Sequence, residues 1–358
     1  MINDLQEFGN DKTSPFYHDF FMIEIRPTTK CNYNCYYCTD LHINSNPIVN
    51  LNTDNINKII AAVKTHVNKN VHIYFCGGEP TMYPDLADFI NKISVHLEGD
   101  DYVEIQSNLS RTLKWLKQFH TDLKYPDRFK LSGSYHNTQN VSFPDYIRKC
   151  LFLKQVGILN VVSFGYNKQI DVTYEYTKAC NIIGQEHCEI VPLILASVDQ
   201  DPTKGNSTDD EIDYIYEQEN MDEYGPRGHF FRKELAYKLK DGTEKDISRG
   251  EMWLTRDNNF FGYKCSIPKN KMYIDWDGGC YKCFNQQFSP IPPVFNVNDS
   301  SFDCDEYFKK SACMTCPFTT CFFDMEYKKY YQDTPDKLKE VKINRYYNTV
   351  EYKNENEI

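Results

Sequence analysis

The chain reads as an α/β protein of parallel βα units followed by a small cysteine-rich C-terminal domain. Three observations predict this. Six short apolar runs alternate with stretches of helical periodicity between Phe20 and Ala196, the pattern that parallel βαβ units require. The polar and glycine-rich clusters come after the runs, and parallel βα folds gather their active groups at the carboxyl ends of strands. Seven of the fourteen cysteines lie from Cys265 to Cys321, beyond the alternating region.

Taken in order, residues 1–19 form a short N-terminal arm and residues 20–25 the first strand. Thr53-Asp54 can cap a helix in which Ile56, Ile59, Ile60, Val63 and Val67 share one face. Residues 72–75 form strand two, which leads into Gly77-Gly78. Pro84 opens the next helix at its favoured first position, with Leu86, Phe89, Ile90, Ile93 and Leu97 on one face. Residues 102–106 form strand three and end in Ser107-Asn108, and residues 129–134 form strand four, followed by Tyr135-His136. Pro144 starts a helix that stops at Gly157, residues 161–164 form strand five, a helix runs from Val172 to Gly184, and residues 190–196 form strand six. The pattern then breaks. Residues 198–206 are a turn-rich connection, 207–220 suit an acidic helix, and 224–275 are short, β-like and rich in turns such as Asp241-Gly242. Beyond Asp324 the charged, tyrosine-rich tail reads as a helix with a loose end. The expected division is an arm (1–19), a βα domain (20–200), a connection with a cysteine domain (201–330) and a tail (331–358).

Composition narrows the function classes. At 358 residues the chain is long enough to bury a sizeable core. A net charge of -11 counts against nucleic acid as a partner, which calls for a basic face. The arm is polar and acidic and lacks the apolar stretch of a signal peptide, and no run approaches the roughly 18 apolar residues of a membrane span. Fourteen cysteines without a secretory signal suggest a reducing cytoplasm with cysteines present as ligands. The 27 tyrosines and 23 phenylalanines suit an aromatic-lined pocket and equally a codon bias.

The chemistry starts at Cys31, Cys35 and Cys38, a C-x3-C-x2-C group directly after strand one. A four-iron cubane held by protein alone takes four thiolates, so a tight group of three leaves one iron open to another ligand. The competing reading, half of a structural zinc site, calls for paired C-x2-C knuckles, and the fourth ligand is missing locally. The spacing resembles the hallmark of the radical S-adenosylmethionine enzymes, C-x3-C-x-aromatic-C, with Tyr37 in the aromatic position. Cys76-Gly77-Gly78-Glu79-Pro80 stands after strand two, where that family carries its GGEP segment.

The resemblance implies a partial, TIM-like (β/α)6 barrel over about residues 20–200. It implies a [4Fe-4S] cluster on Cys31, Cys35 and Cys38 whose open iron chelates S-adenosylmethionine. Reductive cleavage would yield a 5′-deoxyadenosyl radical that abstracts a substrate hydrogen, with electrons from an external donor such as flavodoxin or ferredoxin. Gly77 and Gly78 would contact the amino group of the cosubstrate and Glu79 would hold the strand end. Ser107, Asn108, Ser132 and Ser134 would reach its ribose or carboxylate, and ordinary strand-end turns are the alternative for these four. His136 reads as a hydrogen-bonding strand-end histidine, with catalysis as the alternative. Glu24 and Arg26 share a face of strand one and point either into the barrel as paired charges or outward. Cys76, Cys150, Cys180 and Cys188 read as buried thiols. No catalytic acid or base is identified.

Cys265 followed by Gly278 and Cys283 resembles the C-x(9–15)-G-x4-C opening of the SPASM and twitch auxiliary-cluster domains. Cys313, Cys316 and Cys321 supply further ligands. Their C-x2-C-x4-C spacing is one residue shorter than the SPASM pattern, so one four-cysteine, twitch-type [4Fe-4S] cluster fits and two do not. Cys280 and Cys304 are substitutes within that set, and a zinc site with four thiolates is the alternative. The implied reaction is oxidation or cross-linking of a peptide or protein side chain, or of a small molecule. The short arm has no room for a leader-binding domain, which moves weight toward a small molecule or a leader-independent peptide. Modification of a nucleoside or tRNA, and a non-catalytic zinc or iron–sulfur module, are the competing readings.

Overall fold

The structure, a computed structural model, describes residues 5–9, 20–35, 37–38, 46–166, 170–192, 235–239, 241–247, 260, 263–288, 291–309, 314–317, 329–331, 341–344 and 349–352. The expected connection at 198–206, the acidic helix at 207–220, the last residues of strand six, Cys313 and Cys321 lie outside these residues.

Six strands, β1 (Phe20–Ile25), β2 (Asn70–Phe75), β3 (Tyr102–Ser107), β4 (Phe129–Tyr135), β5 (Leu159–Tyr166) and β6 (Cys188–Pro192), pair in chain order. Every one of these pairings is parallel, which matches the expected partial barrel. On the far side of β1 the sheet continues with β7 (Lys271–Ile274), parallel to it, and then with β8 (Gly279–Tyr281) and β9 (Phe295–Asn296), both antiparallel. The nine-stranded sheet ends at β6 and β9, which are not neighbours, so it stays open. Leu5–Gly9, in the arm, is a strand of a second sheet, between Leu235–Leu239 and Lys329–Tyr331.

The strands follow from their alternation. Phe21, Ile23, Ile25, Val71, Ile73, Phe75, Val103, Ile105, Leu131, Val162, Phe164, Met272 and Ile274 are almost wholly buried on the face covered by helices. The residues between them are largely polar and turn into the barrel, since neighbouring strand positions face opposite ways. The covering helices are α1 (Thr53–Ala62), α2 (Leu86–Ser94), α3 (Leu113–Asp122), α4 (Phe143–Gln155) and α5 (Thr173–Ile183).

Four details differ from expectation. The cap of α1 is Asn52, whose side chain accepts from Asp54 N and Asn55 N at 3.0 and 3.2 Å, because its short amide reaches the free amides one turn on. Pro84 does not open α2: Asp85 intervenes with φ 50°, and the helix begins at Leu86. Helix α3, capped by Thr112, has no counterpart in the sequence reading. Its Leu113, Leu116 and Phe119 recur at helical spacing, a local signal that the reading passed over. In the tail, Val341–Asn344 and Thr349–Tyr352 pair antiparallel where a helix was expected, in keeping with the strand preference of Val, Ile, Thr and Tyr.

The segment after β7 packs against the barrel near β1. A short helix, α6 (Asp305–Lys309), sets Phe308 edge-on against Phe21 with ring centroids 5.7 Å apart. Asn55 Nδ2 donates to the carbonyls of Val297 and Asp299 at 2.7 and 3.2 Å.

Candidate active site

The loop that leaves β1 is fastened to the turn that leaves β2. Gly78 N donates to Thr28 O at 3.1 Å and Glu79 N to Lys30 O at 2.7 Å. The glycines make this approach possible. A Cβ on Gly78 would stand 2.3 Å from Lys30 O, and one on Gly77, whose φ is +108°, would stand 2.2 Å from Arg26 Cγ. The missing side chains of both glycines thus let the turn pack closely on the cysteine loop.

Glu79 ties the next strand end to this turn. Its Oε1 accepts from Thr81 Oγ1 (2.6 Å), Ser107 Oγ (2.7 Å) and Thr81 N (3.2 Å), and its Oε2 from Asn108 N (2.8 Å). Burial raises its pKa above the ordinary carboxylate value and these hydrogen bonds oppose the rise. Ser107 Oγ, engaged with Glu79, also accepts from Leu109 N at 3.1 Å. Asn108 turns to the cysteine loop: its Nδ2 lies 3.1 Å from Asn32 Oδ1 and 3.9 Å from Cys31 Sγ.

Cys31, Cys35 and Cys38 are half-buried. Cys31 Sγ also accepts from Tyr33 N at 3.4 Å, and Cys38 N donates to Cys35 O at 3.1 Å. His136, after β4, covers the other side of the loop. Its Nδ1 lies 2.8 Å from Tyr37 Oη and 3.6 Å from Cys35 Sγ, and its ring stacks on Tyr37 with centroids 5.9 Å apart. Burial lowers its pKa to about 4, so the ring is neutral near pH 7. The loop therefore offers three soft thiols at the carboxyl ends of the strands, Cys31 with amide N–H groups in reach and Cys35 with the Tyr37 hydroxyl. That donor set fits an iron–sulfur cluster, in which hydrogen bonds to sulfur are part of the design. Among the described residues no three His, Cys, Asp or Glu side chains converge on a single ion. A cubane differs in this respect, because its ligands bind separate irons.

Below the loop the barrel interior is polar. Glu24 points inward: its Oε2 lies 2.7 Å from Lys271 Nζ on β7 and its Oε1 accepts from Cys76 Sγ at 3.1 Å. Arg26 binds Asp275 through two bonds, Nε to Oδ1 at 2.7 Å and Nη2 to Oδ2 at 3.0 Å. Both charges that the sequence left open thus face inward and are paired. Deeper still, Glu104 accepts from Ser132 Oγ at 2.5 Å and Asn160 Nδ2 at 2.9 Å and lies 3.1 Å from His72 Nε2. Burial pushes its carboxyl up, but the bonds and charge of His72, with Ser132 and Asn160, more than offset this and hold it below the ordinary carboxylate value. Ser134, two residues beyond Ser132, accepts from Gln106 Nε2 at 2.5 Å.

Of the second cysteine set, Cys265, Cys283 and Cys316 are buried. Cys265 pairs with Met314 across antiparallel strands, and Cys316 N donates to Tyr263 O at 2.8 Å, so Cys265 and Cys316 come from adjacent chain segments. Cys280 and Cys304 instead sit in the apolar cluster with Val297, Phe302 and Phe308. Burial raises both thiols, Cys304 to about 12.

The sequence reading thus brought Cys31, Cys35, Cys38, Tyr37, Gly77, Gly78, Glu79 and Asn108 into one neighbourhood. It missed Lys271, Asp275, Gln106 and Asn160. The first two reach the barrel from roughly 250 residues away, and no local pattern marks them. Gln106 and Asn160 carried a local signal, a polar residue on the inward side of a strand.

The sequence model of the Radical SAM superfamily matches residues 25–167. No curated protein matches the chain. Among solved structures, SuiB of Streptococcus suis bound to precursor peptide SuiA is 16% identical, with a TM-score of 0.49 and 81% of this chain covered. This chain spans 66% of SuiB, just under two thirds of its length. Polyhistidine-tagged anSMEcpe with bound AdoMet is 14% identical, with a TM-score of 0.47, covering 81% of this chain and 82% of its own. BtrN in complex with AdoMet and 2-DOIA is 13% identical, with a TM-score of 0.37, covering 82% and 87%. The motif, the strand-end geometry and the family match agree, and residues 25–167, with the cysteine loop at their head, belong to the radical SAM superfamily.

Proposed function

We propose that this protein reductively cleaves S-adenosylmethionine and uses the radical to oxidise or cross-link a peptide or protein side chain, or a small molecule. The observation that carries the reading is the cysteine loop stitched to the Gly77–Gly78–Glu79 turn above a polar barrel interior. Cys31, Cys35 and Cys38 would hold the cluster that delivers one electron to the sulfonium and so generates the 5′-deoxyadenosyl radical. Tyr37, Gly77, Gly78, Asn108 and Ser134 would line the cosubstrate site, while Glu79, Ser107 and Ser132, already engaged with one another's strands, would act as its supports. Cys265, Cys283 and two of Cys313, Cys316 and Cys321 would hold an auxiliary cluster, the destination for the electron released when the substrate is oxidised. A flavodoxin or ferredoxin would supply the reducing electron.

The reading is tested by supplying the anaerobically reconstituted, reduced protein with S-adenosylmethionine and measuring 5′-deoxyadenosine. Wild type forms it, and the triple variant Cys31→Ala/Cys35→Ala/Cys38→Ala forms none. A reconstituted wild type that forms none either would show a non-catalytic metal module instead.

A further inference from the structure

His136 belongs to a short segment that grips the cysteine loop from the β4 side. It is followed by a single turn, Asn137–Gln139, and the side-chain oxygen of Gln139 accepts from Asn34 N at 3.1 Å. His136 Nδ1 reaches Tyr37 Oη and Cys35 Sγ, and the ring is fixed from two sides, stacked on Tyr37 and edge-on to Tyr33 with centroids 5.7 Å apart. Neighbouring Cys31 receives the Tyr33 amide and has the Asn108 amide within 3.9 Å. Cys35 has two partners on this side of the loop, the Tyr37 hydroxyl and the imidazole.

We propose that His136 is a positioning residue whose Nδ1–H donates to Cys35 Sγ and thereby sets the reduction potential of the cluster held by Cys31, Cys35 and Cys38. The inference rests on the cluster reading given above. A ligating thiolate carries no hydrogen and can only accept, so the nitrogen facing it must carry the proton. Tyr37 is consistent with that assignment, because its hydroxyl can donate to the Cys35 sulfur while its oxygen, 2.8 Å away, shares the Nδ1 proton. A hydrogen bond to the sulfur draws charge from it and stabilises the more negative, reduced cluster, which raises the potential. Packing Tyr33 and Tyr37 around the ring fixes the donor and limits water near the sulfur.

The test compares His136→Phe, which keeps the ring contacts and removes Nδ1, with His136→Asn, which keeps an amide donor near the same place. Each is reconstituted anaerobically as the full chain, its iron is counted, and the loop cluster is titrated by EPR. The loop signal is identified as the one absent from Cys31→Ala/Cys35→Ala/Cys38→Ala. With iron content unchanged, His136→Phe is expected to lower the ratio of reduced to oxidised loop cluster about tenfold at a fixed solution potential, a shift of about 59 mV for a one-electron couple. His136→Asn recovers most of it. Equal ratios in His136→Phe and wild type, or an equal fall in both variants, would overturn the proposal and leave the cluster reading intact. If His136→Phe takes up no loop iron, recovery of uptake by His136→Asn supports the donor role and failure of both variants overturns it. A wild type that holds no iron at the loop removes the cluster reading itself, and with it the proposal.

Discussion

Glu79 concentrates the residue-scale physics of the site. One carboxylate satisfies four donors, two from its own turn and two from the end of β3, so the second and third strand ends cannot move independently. Glu79→Ala leaves those buried donors without partners, at a cost on the order of 3 kcal/mol. Glu79→Gln, which keeps an acceptor oxygen, is expected to lose less. Chemical denaturation of both variants checks this, and an alanine variant as stable as wild type would contradict the role. The carboxyl of Glu104 allows a pH prediction. Its folded pKa is lowered below the ordinary value of 4.5, so the folded state binds its proton more weakly than the unfolded chain. The resulting stability is fully present above that ordinary value and is lost as the pH falls through the folded pKa. The stability gap between wild type and Glu104→Gln should therefore be constant near neutrality and narrow as acid is added below about pH 4. A gap that widened in acid would refute the assignment.

At the scale of elements, the paired ends of β1 and β7 join the barrel to the cysteine-rich segment. Arg26, just past β1, and Asp275, just past β7, form a bidentate pair with 7% of each side chain exposed. Arg26→Ala strands Asp275 as a buried charge and should cost about 3–5 kcal/mol, whereas replacing both partners with leucine should recover most of the loss. Equal destabilisation in the single and double variants would mean that packing, rather than charge pairing, holds the junction. Much of this level was legible in the sequence. The strands of the barrel declared themselves because each alternates apolar and polar residues, or ends in a glycine or serine cluster, over a few local positions. Helix α3 was legible and passed over: Leu113, Leu116 and Phe119 recur at helical spacing while Lys114, Lys117 and Gln118 face solvent. The placement of β7 beside β1 was invisible. Parallel pairing between strands so far apart is fixed by side chains such as Lys271 and Glu24 meeting in three dimensions, and sequence spacing carries no trace of it. The inward direction of Glu24 and Arg26 was open for the same reason, because their partners lay outside any local window.

Considered whole, the molecule sets a cysteine loop at one end of an open barrel and brings β7, β8 and β9 to the edge of the same sheet. No described helix is long and apolar enough to cross a membrane. Two cubanes would bring about eight irons per chain. The Cys31, Cys35 and Cys38 alanine variant should lose half of them, and Cys265→Ala/Cys283→Ala the other half. Zinc in place of the second half would assign the C-terminal cysteines a structural role. Under the proposed function, the loop holds a cluster with one iron left open for S-adenosylmethionine. EPR of the reduced protein before and after S-adenosylmethionine is added tests it most directly. The signal that requires Cys31, Cys35 and Cys38 should change shape on addition. A loop signal identical with and without S-adenosylmethionine would contradict it.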